Sequence, residues 1–199
     1  QNKKGEWESK IKASGIETKR KDWVKIVGNT LMKCIEDVLI YDNIDDAIKH
    51  TKESINKIEN MEYNKIEDLD DIILTRKYTK AVENYKVIPI HIRIVKNMLE
   101  RHEQLNLGDR VSYVIVEGDN KFNMRAESAE RVIKDHLEID RKYYIETQLL
   151  PAIDRFLKVV GIEKSKYYRG LNSSKKDKVV LKTNGKKEIQ KNLFSYEGE

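Results

Sequence analysis

At 199 residues, with 39% hydrophobic and 37% charged residues, the chain makes one large domain or two small ones with a heavily charged surface. Its net charge of +5 and pI ≈ 9.0 permit a nucleic-acid or other anionic partner without requiring one. No apolar run is long enough to span a membrane, and the single Cys34 rules out a disulfide framework and points to a reducing compartment.

The opening QNKKGEWESK lacks the apolar segment of a secretory signal and an initiator methionine. The expectation is a trimmed chain or one that begins mid-protein. Residues 6–13, EWESKIKA, alternate loosely as a strand does; Gly15 breaks the pattern and IETKR reads as a second strand. Asp22 is placed to cap a helix whose apolar positions are Trp23, Val24, Ile26, Val27, Leu31, Cys34, Ile35, Val38 and Leu39. Tyr41-Asp42-Asn43 ends it. A second helix follows, with Ile44, Ala47, Ile48, Thr51, Ile55 and Ile58 at three- and four-residue steps.

Residues 60–71 are acidic and irregular, and residues 71–77 read as a short strand or an extended run. Thr79 is placed to cap a short helix reaching Tyr85. Pro89 opens the next helix, whose apolar face is Ile92, Val95, Met98 and Leu99. Leu107-Gly108-Asp109 is a turn. Residues 110–117, RVSYVIVE, are the clearest strand, with Val111, Tyr113 and Ile115 on one face. Gly118-Asp119-Asn120 reads as a hairpin turn. The last long helix covers residues 140–160, with Tyr144, Leu149, Ile153, Phe156, Leu157 and Val160 inward. Pro151 should kink or interrupt it, and Gly161 stops it. Beyond about residue 163 the composition turns to SSKKDK and NGKK, which bury little and repel one another. Residues 170–187 read as a mobile basic linker, and IQKNLFSY is an apolar island after it.

The residues that carry chemistry are few. His50, His91, His102 and His136 are scattered, without metal-ligand spacing to one another or to Cys34. There is no P-loop and no glycine-rich dinucleotide fingerprint. Asp68, Asp70 and Asp71 form a carboxylate cluster of the kind a two-metal site needs, but in an acidic, loop-like stretch where a solvated patch is the simpler reading. The basic clusters say more. Lys19, Arg20 and Lys21 follow a glycine turn and precede a helix; they read either as a solvated charge run or as a phosphate grip. Thr75, Arg76, Lys77, Tyr78, Thr79 and Lys80, with Lys86 beyond Tyr85, interleave hydroxyls, cations and aromatics, a mixture suited to sugar-phosphate contacts. Arg125 stands alone after the hairpin.

In order along the chain stand GIETKRKDW (15–23), LTRKYTKAVENYK (74–86), IPIHIRIVKNM (88–98), GDRVSYVIVEGD (108–119) and DRKYYIETQLLPAIDRFLKVVG (140–161). The first resembles the segment that joins palm to thumb in family B DNA polymerases. The last resembles that family's YYIE-x-Q-x-x-P-A-x-x-R stretch, where a proline also sits inside the helical pattern. The resemblance covers roughly residues 10–170 and is nearest to archaeal members.

It implies a mainly α fold with a small β part (α+β): a helical polymerase thumb with a β-hairpin and short N-terminal palm-edge strands. The implied organisation is palm edge and hinge over 1–22, thumb over 23–169, basic linker over 170–187 and a tail over 188–199. Carried over by position, the implied DNA-backbone contacts are Arg20, Lys21, Thr75, Arg76, Lys86, His91 and Arg125; Lys19, Lys77 and Lys80 join them from the basic clusters. Lys21 stands where the family has a second arginine, which removes bidentate phosphate geometry there. The proline before the family's histidine sits one place early, as Pro89, and Met124 precedes Arg125 where a small or polar residue is usual.

The family's palm aspartates and nucleotide-binding helix have no counterpart in these residues. The resemblance therefore implies a chain inactive alone, binding no cofactor itself. It is either a small subunit of a split enzyme or a fragment of an unsplit one. Mg ions belong to a larger catalytic subunit. Gln190, Leu193 and Tyr196, with Phe194 beside them, match the pattern of sliding-clamp (PCNA) binding peptides, although Glu197 stands where a second aromatic is usual. The implied partners are primer-template DNA, the catalytic subunit and the clamp, with no membrane, in the cytoplasm at the nucleoid. A non-catalytic helical nucleic-acid-binding protein and a structural interaction subunit share the charge pattern and remain open at this point.

Overall fold

In the computed structural model, residues 23–118 and 121–170 are described. The expected N-terminal strands, the Asp22 cap, Lys19, Arg20 and Lys21, the tip of the hairpin turn and the whole tail lie outside them. The chain divides into two units, residues 1–163 and 164–199.

The first helix, α1, runs Lys25–Leu39, with Val24 rather than a capping side chain at its start. Its first turn is satisfied from elsewhere: the Ile26 N–H donates to the Asp71 carbonyl at 3.0 Å. Val27, Leu31, Cys34 and Ile35 face inward as their spacing requires, whereas Leu39 projects past the helix end and is 66% exposed. A short turn follows, with Asp42 in a left-handed conformation and the Asn43 N–H bonded to the Asp37 carbonyl at 2.8 Å. Helix α2, Ile44–Glu59, is capped by Asn43, whose side chain accepts from the Asp46 N–H at 3.1 Å. The two helices pack antiparallel. Where they touch, Thr51 donates to the Ala47 carbonyl, and the Cys34 thiol lies 3.4 Å from the Thr51 hydroxyl. Burial raises the Cys34 thiol pKa above its ordinary value, so it behaves as a small core residue.

The acidic stretch is built rather than merely solvated. Residues Ile66–Leu69 form a 3₁₀ turn in which the Asp68 carboxylate accepts from the Asn64 and Lys65 N–H groups. Those hydrogen bonds, from Asn64 first, hold its pKa below the ordinary value. Asp70 and Asp71 pair with Lys25 of α1 and Lys57 of α2. Leu69 and Ile72 are fully buried beneath them.

Three strands make one antiparallel sheet in the order β1-β2-β3: β1 is Leu74–Lys77, β2 is Arg110–Ile115 and β3 is Ala126–Glu127. The register pairs Leu74 with Tyr113 and Lys77 with Arg110, then Val114 with Glu127 and Ile115 with Ala126. Helix α3, Ile90–Glu100, starts after Pro89 and buries Ile92, Ile94 and Val95; Leu99, expected inward, is 40% exposed. Thr79 does not cap a helix. The segment before α3 makes only a 3₁₀ turn, Val82–Asn84, without a side-chain cap. The β2–β3 connection spans residues 116–125, longer than a tight hairpin, and contains the 3₁₀ turn Phe122–Met124.

Helix α4, Ala129–Lys134, follows β3. The last helical stretch is not a single α-helix. Residues Tyr143–Leu149 are π-helical and pass into α5, Leu150–Val159. Pro151 lies just past the junction. It has no N–H to donate, and its ring crowds the carbonyl four residues back. The widened turn accommodates this, with the Leu150 N–H reaching the Ile145 carbonyl. Gly161, at φ +78°, closes the helix, and the Ile162 N–H returns to the Leu157 carbonyl at 2.9 Å. The chain is thus mainly α with a small β part, α+β. In the second unit, residues 164–166 form a 3₁₀ turn, and the Lys164 ammonium sits over the Tyr168 ring at 5.4 Å.

A buried side chain ties the end of β2 to the last helical stretch. Tyr144 is fully buried, and its hydroxyl accepts from the Ile115 N–H at 2.7 Å. Burial raises its phenol pKa far above the ordinary value, so it stays neutral. Beside it, Asp140 accepts from the Tyr143 N–H at 2.8 Å and from Arg125 Nη1 at 2.6 Å. Tyr144→Phe strands the buried Ile115 N–H. We expect a loss of about 1–3 kcal/mol, read as a lower urea midpoint at unchanged m-value; an unchanged midpoint would show that the bond carries no net stability.

Candidate nucleic-acid interface

Strand alternation gives the sheet two unlike faces. Leu74, Val111 and Tyr113 point into the core and are buried. Thr75, Lys77, Arg110 and Ser112 share the opposite face, where Lys77, Arg110 and Ser112 are exposed. Thr75 and Ser112 are direct cross-strand partners, with their hydroxyl oxygens 3.3 Å apart.

The ladder continues past Lys77. The Tyr78 N–H donates to the Asp109 carbonyl at 2.8 Å, and the Gly108 N–H to the Tyr78 carbonyl at 2.7 Å. Gly108 takes φ +104°, which a side chain rarely adopts, and the Lys77 stem passes 3.9 Å from where a Cβ on it would stand. Tyr78 is buried and anchors the segment, while Lys80 and Lys86 lie exposed on either side of the 82–84 turn.

Arg76 lies at the end of β1, exposed, on the same side of the strand as Leu74. Its charge reaches two neighbours. His91, half-buried in the first turn of α3, is held below its ordinary pKa by burial first and by Arg76 second. It is therefore neutral at pH 7 and offers hydrogen bonds rather than charge. Tyr143 has its phenol pKa raised, chiefly by burial, with Arg76 acting in the opposite sense. The structure thus puts Thr75 and Lys77 on one face of β1 and Arg76 on the other, with His91 within the reach of Arg76's charge. Lys80 and Lys86 follow on the loop between β1 and α3.

Arg125 is differently engaged. Its guanidinium is paired with Asp140, and its Cζ lies 5.4 Å from the centroid of the Phe122 ring. Phe122 in turn lies 5.1 Å from the Tyr143 ring, centroid to centroid. Arg125 therefore holds the β2–β3 connection to the start of the last helix. Around it is an open cavity of about 520 Å³, lined by Phe122, Lys142, Tyr143, Glu146 and Thr147 among others.

Two residues of the exposed sheet face, Arg110 and Ser112, were not among the candidates from sequence. The signal was present in RVSYVI: assigning Val111 and Tyr113 inward places Arg110 and Ser112 outward. Lys19, Arg20, Lys21, Gln190, Leu193, Phe194 and Tyr196 lie outside the described residues. Among the described residues, no group of three or more His, Cys, Asp or Glu side chains is placed to hold a metal ion, and no helix is long and apolar enough to cross a membrane.

Comparison with known proteins bears on this face. The family model for DNA polymerase family B matches residues 1–160. The DNA polymerase of Pyrococcus horikoshii is 30% identical over 157 residues, covering 79% of this chain and 12% of that protein. The DNA polymerase of Pyrococcus glycovorans is 31% identical over 157 residues, covering 79% of this chain and 20% of that protein. The solved structure of the family B DNA polymerase from Pyrobaculum calidifontis superposes with a TM-score of 0.60 at 26% identity, covering 72% of this chain and 19% of that one. The chain spans a fifth or less of the length of these relatives. With a fold shared with a member of the family and a family match across four-fifths of its length, the chain belongs to the family B DNA polymerases.

Proposed function

We propose that this chain is the thumb of a family B DNA-directed DNA polymerase and grips primer-template duplex without performing chemistry itself. The observation that carries the reading is the grouping of Thr75, Arg76 and Lys77 on β1, with Lys80, Lys86 and His91 on the segment that follows. Cations and hydroxyls there suit the phosphates of a duplex. Phosphate contacts position a duplex and carry no sequence information directly. The grip is therefore indifferent to sequence, as a replicating enzyme requires.

The catalytic aspartates and their Mg ions are supplied by a larger subunit, and the thumb holds the primer end over them. The family motifs that carry those aspartates are absent from this sequence. Lys19, Arg20 and Lys21 extend the grip toward the palm edge. Gln190, Leu193, Phe194 and Tyr196 tether the assembly to the sliding clamp, which raises the effective concentration of the enzyme at the primer end.

Three measurements test these parts separately. Arg76→Ala should lower duplex affinity about equally for all sequences and reduce the salt slope by about one. A loss confined to particular sequences would count against a phosphate grip. Leu193→Ala with Tyr196→Ala should abolish binding to the purified clamp and leave synthesis on short templates intact; unaltered clamp affinity removes the tether. A nuclease-treated pull-down should recover a larger polypeptide bearing the palm aspartates. Its absence, with the clamp recovered alone, would favour a thumb that belongs to one longer chain.

A further inference from the structure

The exposed sheet face contains a juxtaposition that folding alone does not explain. Lys77 on β1 is the direct cross-strand partner of Arg110 on β2. Like charges placed opposite one another destabilise an antiparallel pair. The register cannot slip to relieve them. Leu74 and Tyr113 are buried on the inner face, and the Tyr78–Asp109 and Gly108–Tyr78 hydrogen bonds close the ladder immediately beyond. Neither cation has a carboxylate partner among the described residues. The nearest carboxylate in sequence, Asp109, turns back to accept from the Asn106 N–H at 2.8 Å.

Protection of a sheet edge accounts for one of the two charges. β1 is an edge among the described strands, and a lysine there discourages pairing with another chain. Arg110 begins β2, whose pairing with β3 starts only at Val114, and one cation would be enough to guard this end of the sheet without setting a second directly opposite it. One step along the same face stand the paired hydroxyls of Thr75 and Ser112. Cross-strand partners are about 5 Å apart. Two hydroxyls, a guanidinium fork and an ammonium thus occupy adjacent cross-strand positions on one face, roughly 5 Å apart across the strands and about 7 Å along them, within reach of one tetrahedral oxyanion for side chains as long as lysine and arginine.

We propose that Thr75, Lys77, Arg110 and Ser112 form a seat for a single phosphodiester of the duplex backbone, so that β2 shares the grip with β1. The seat rests on the thumb reading above and adds Arg110 and Ser112 to it. An anion between Lys77 and Arg110 converts a repulsion into two attractions. The pair is therefore pre-stressed against the free state and relieved in the bound one.

The test uses the full chain and a primer-template duplex over a range of KCl. Arg110→Gln should weaken binding roughly tenfold and lower the salt slope by about one. Ser112→Ala should weaken it less and leave the slope unchanged. In the absence of DNA at low salt, Arg110→Gln should melt at the same temperature as the parent or higher, because a repulsion has been removed. That opposite sign separates a seat from a structural arginine. If the variant melts lower, Arg110→Lys decides: a retained slope supports the seat and a lost slope overturns it. Unchanged affinity and slope in Arg110→Gln, with the parent still binding, removes the seat and leaves the grip standing. A parent chain that does not bind duplex removes both. If inorganic phosphate stabilises the parent but not Arg110→Gln while duplex affinity is the same in both, the site is one for free phosphate and the diester assignment fails.

Discussion

One buried hydrogen bond ties the central strand of the sheet to the last helical stretch. The Tyr144 hydroxyl takes the Ile115 N–H at the end of β2, from inside the π-helical segment. Ile115 sits where the ladder to β3 is short, so its N–H needs a partner that another strand does not supply. The next residues consolidate the joint: the Asp140 N–H donates to the Ile115 carbonyl at 3.0 Å, and the Asp140 carboxylate binds both the Tyr143 N–H and Arg125. With Val111 and Tyr113 buried on one face of β2, the pleat sends Arg110 and Ser112 to the other. The π segment belongs to this arrangement. Its wider turn absorbs Pro151 while Tyr144, Ile145 and Leu149 all remain buried.

The distribution of charge follows a similar logic. A modest net charge of +5 conceals a strong local separation. The acidic stretch before β1 is consumed internally. Asp68 binds backbone N–H groups, and Asp70 and Asp71 hold lysines of α1 and α2. These exposed pairs contribute little stability individually. Their larger effect is to keep carboxylates occupied near the base of a strand whose outer face is cationic. His50 and Asp37 make a comparable pair across the two long helices, at 2.6 Å. Lys77, Lys80 and Lys86, on β1 and the segment that follows it, are exposed.

Much of this was legible in the sequence where a period was long enough to read. The helices α1, α2 and α3 declare themselves through three- and four-residue spacing, and β2 through alternation. What escaped did so for identifiable reasons. α4 is only six residues, too short for a period, although Ser128 before Ala129 is a usable cap and does accept from the Arg131 N–H. β3 is two residues and exists only because β2 is there to pair with it. The π segment was read as helix because its apolar positions fit one. A proline inside such a pattern announces a disturbance but not its form. Arg125 shows the limit for sites. Its partner Asp140 is fifteen positions away, beyond any local signal, and position in a family motif describes where a residue stands but not which neighbour holds its charge.

The mixture of hydroxyls and cations on the sheet bears on how such a surface works. Lysines alone would bind a duplex through counterion release, strongly at low salt and weakly at high salt. Hydroxyls add directional bonds that salt does not screen in the same way. Strands add something helices do not: a fixed cross-strand spacing, set by backbone hydrogen bonds rather than by side-chain rotamers. Thr75 and Ser112 are branched or short, so little freedom is lost when a phosphate arrives. In the proposed grip, Lys80 and Lys86 have long side chains with many rotamers and would follow successive phosphates. A surface that must hold a duplex and also let it advance needs both kinds of contact, a few that register the backbone and more that follow it. The rigid pair sits where the buried tyrosine has already fixed the strand, and the mobile lysines sit on the loop between β1 and α3. The division of labour on the surface thus repeats the division of rigidity in the fold beneath it.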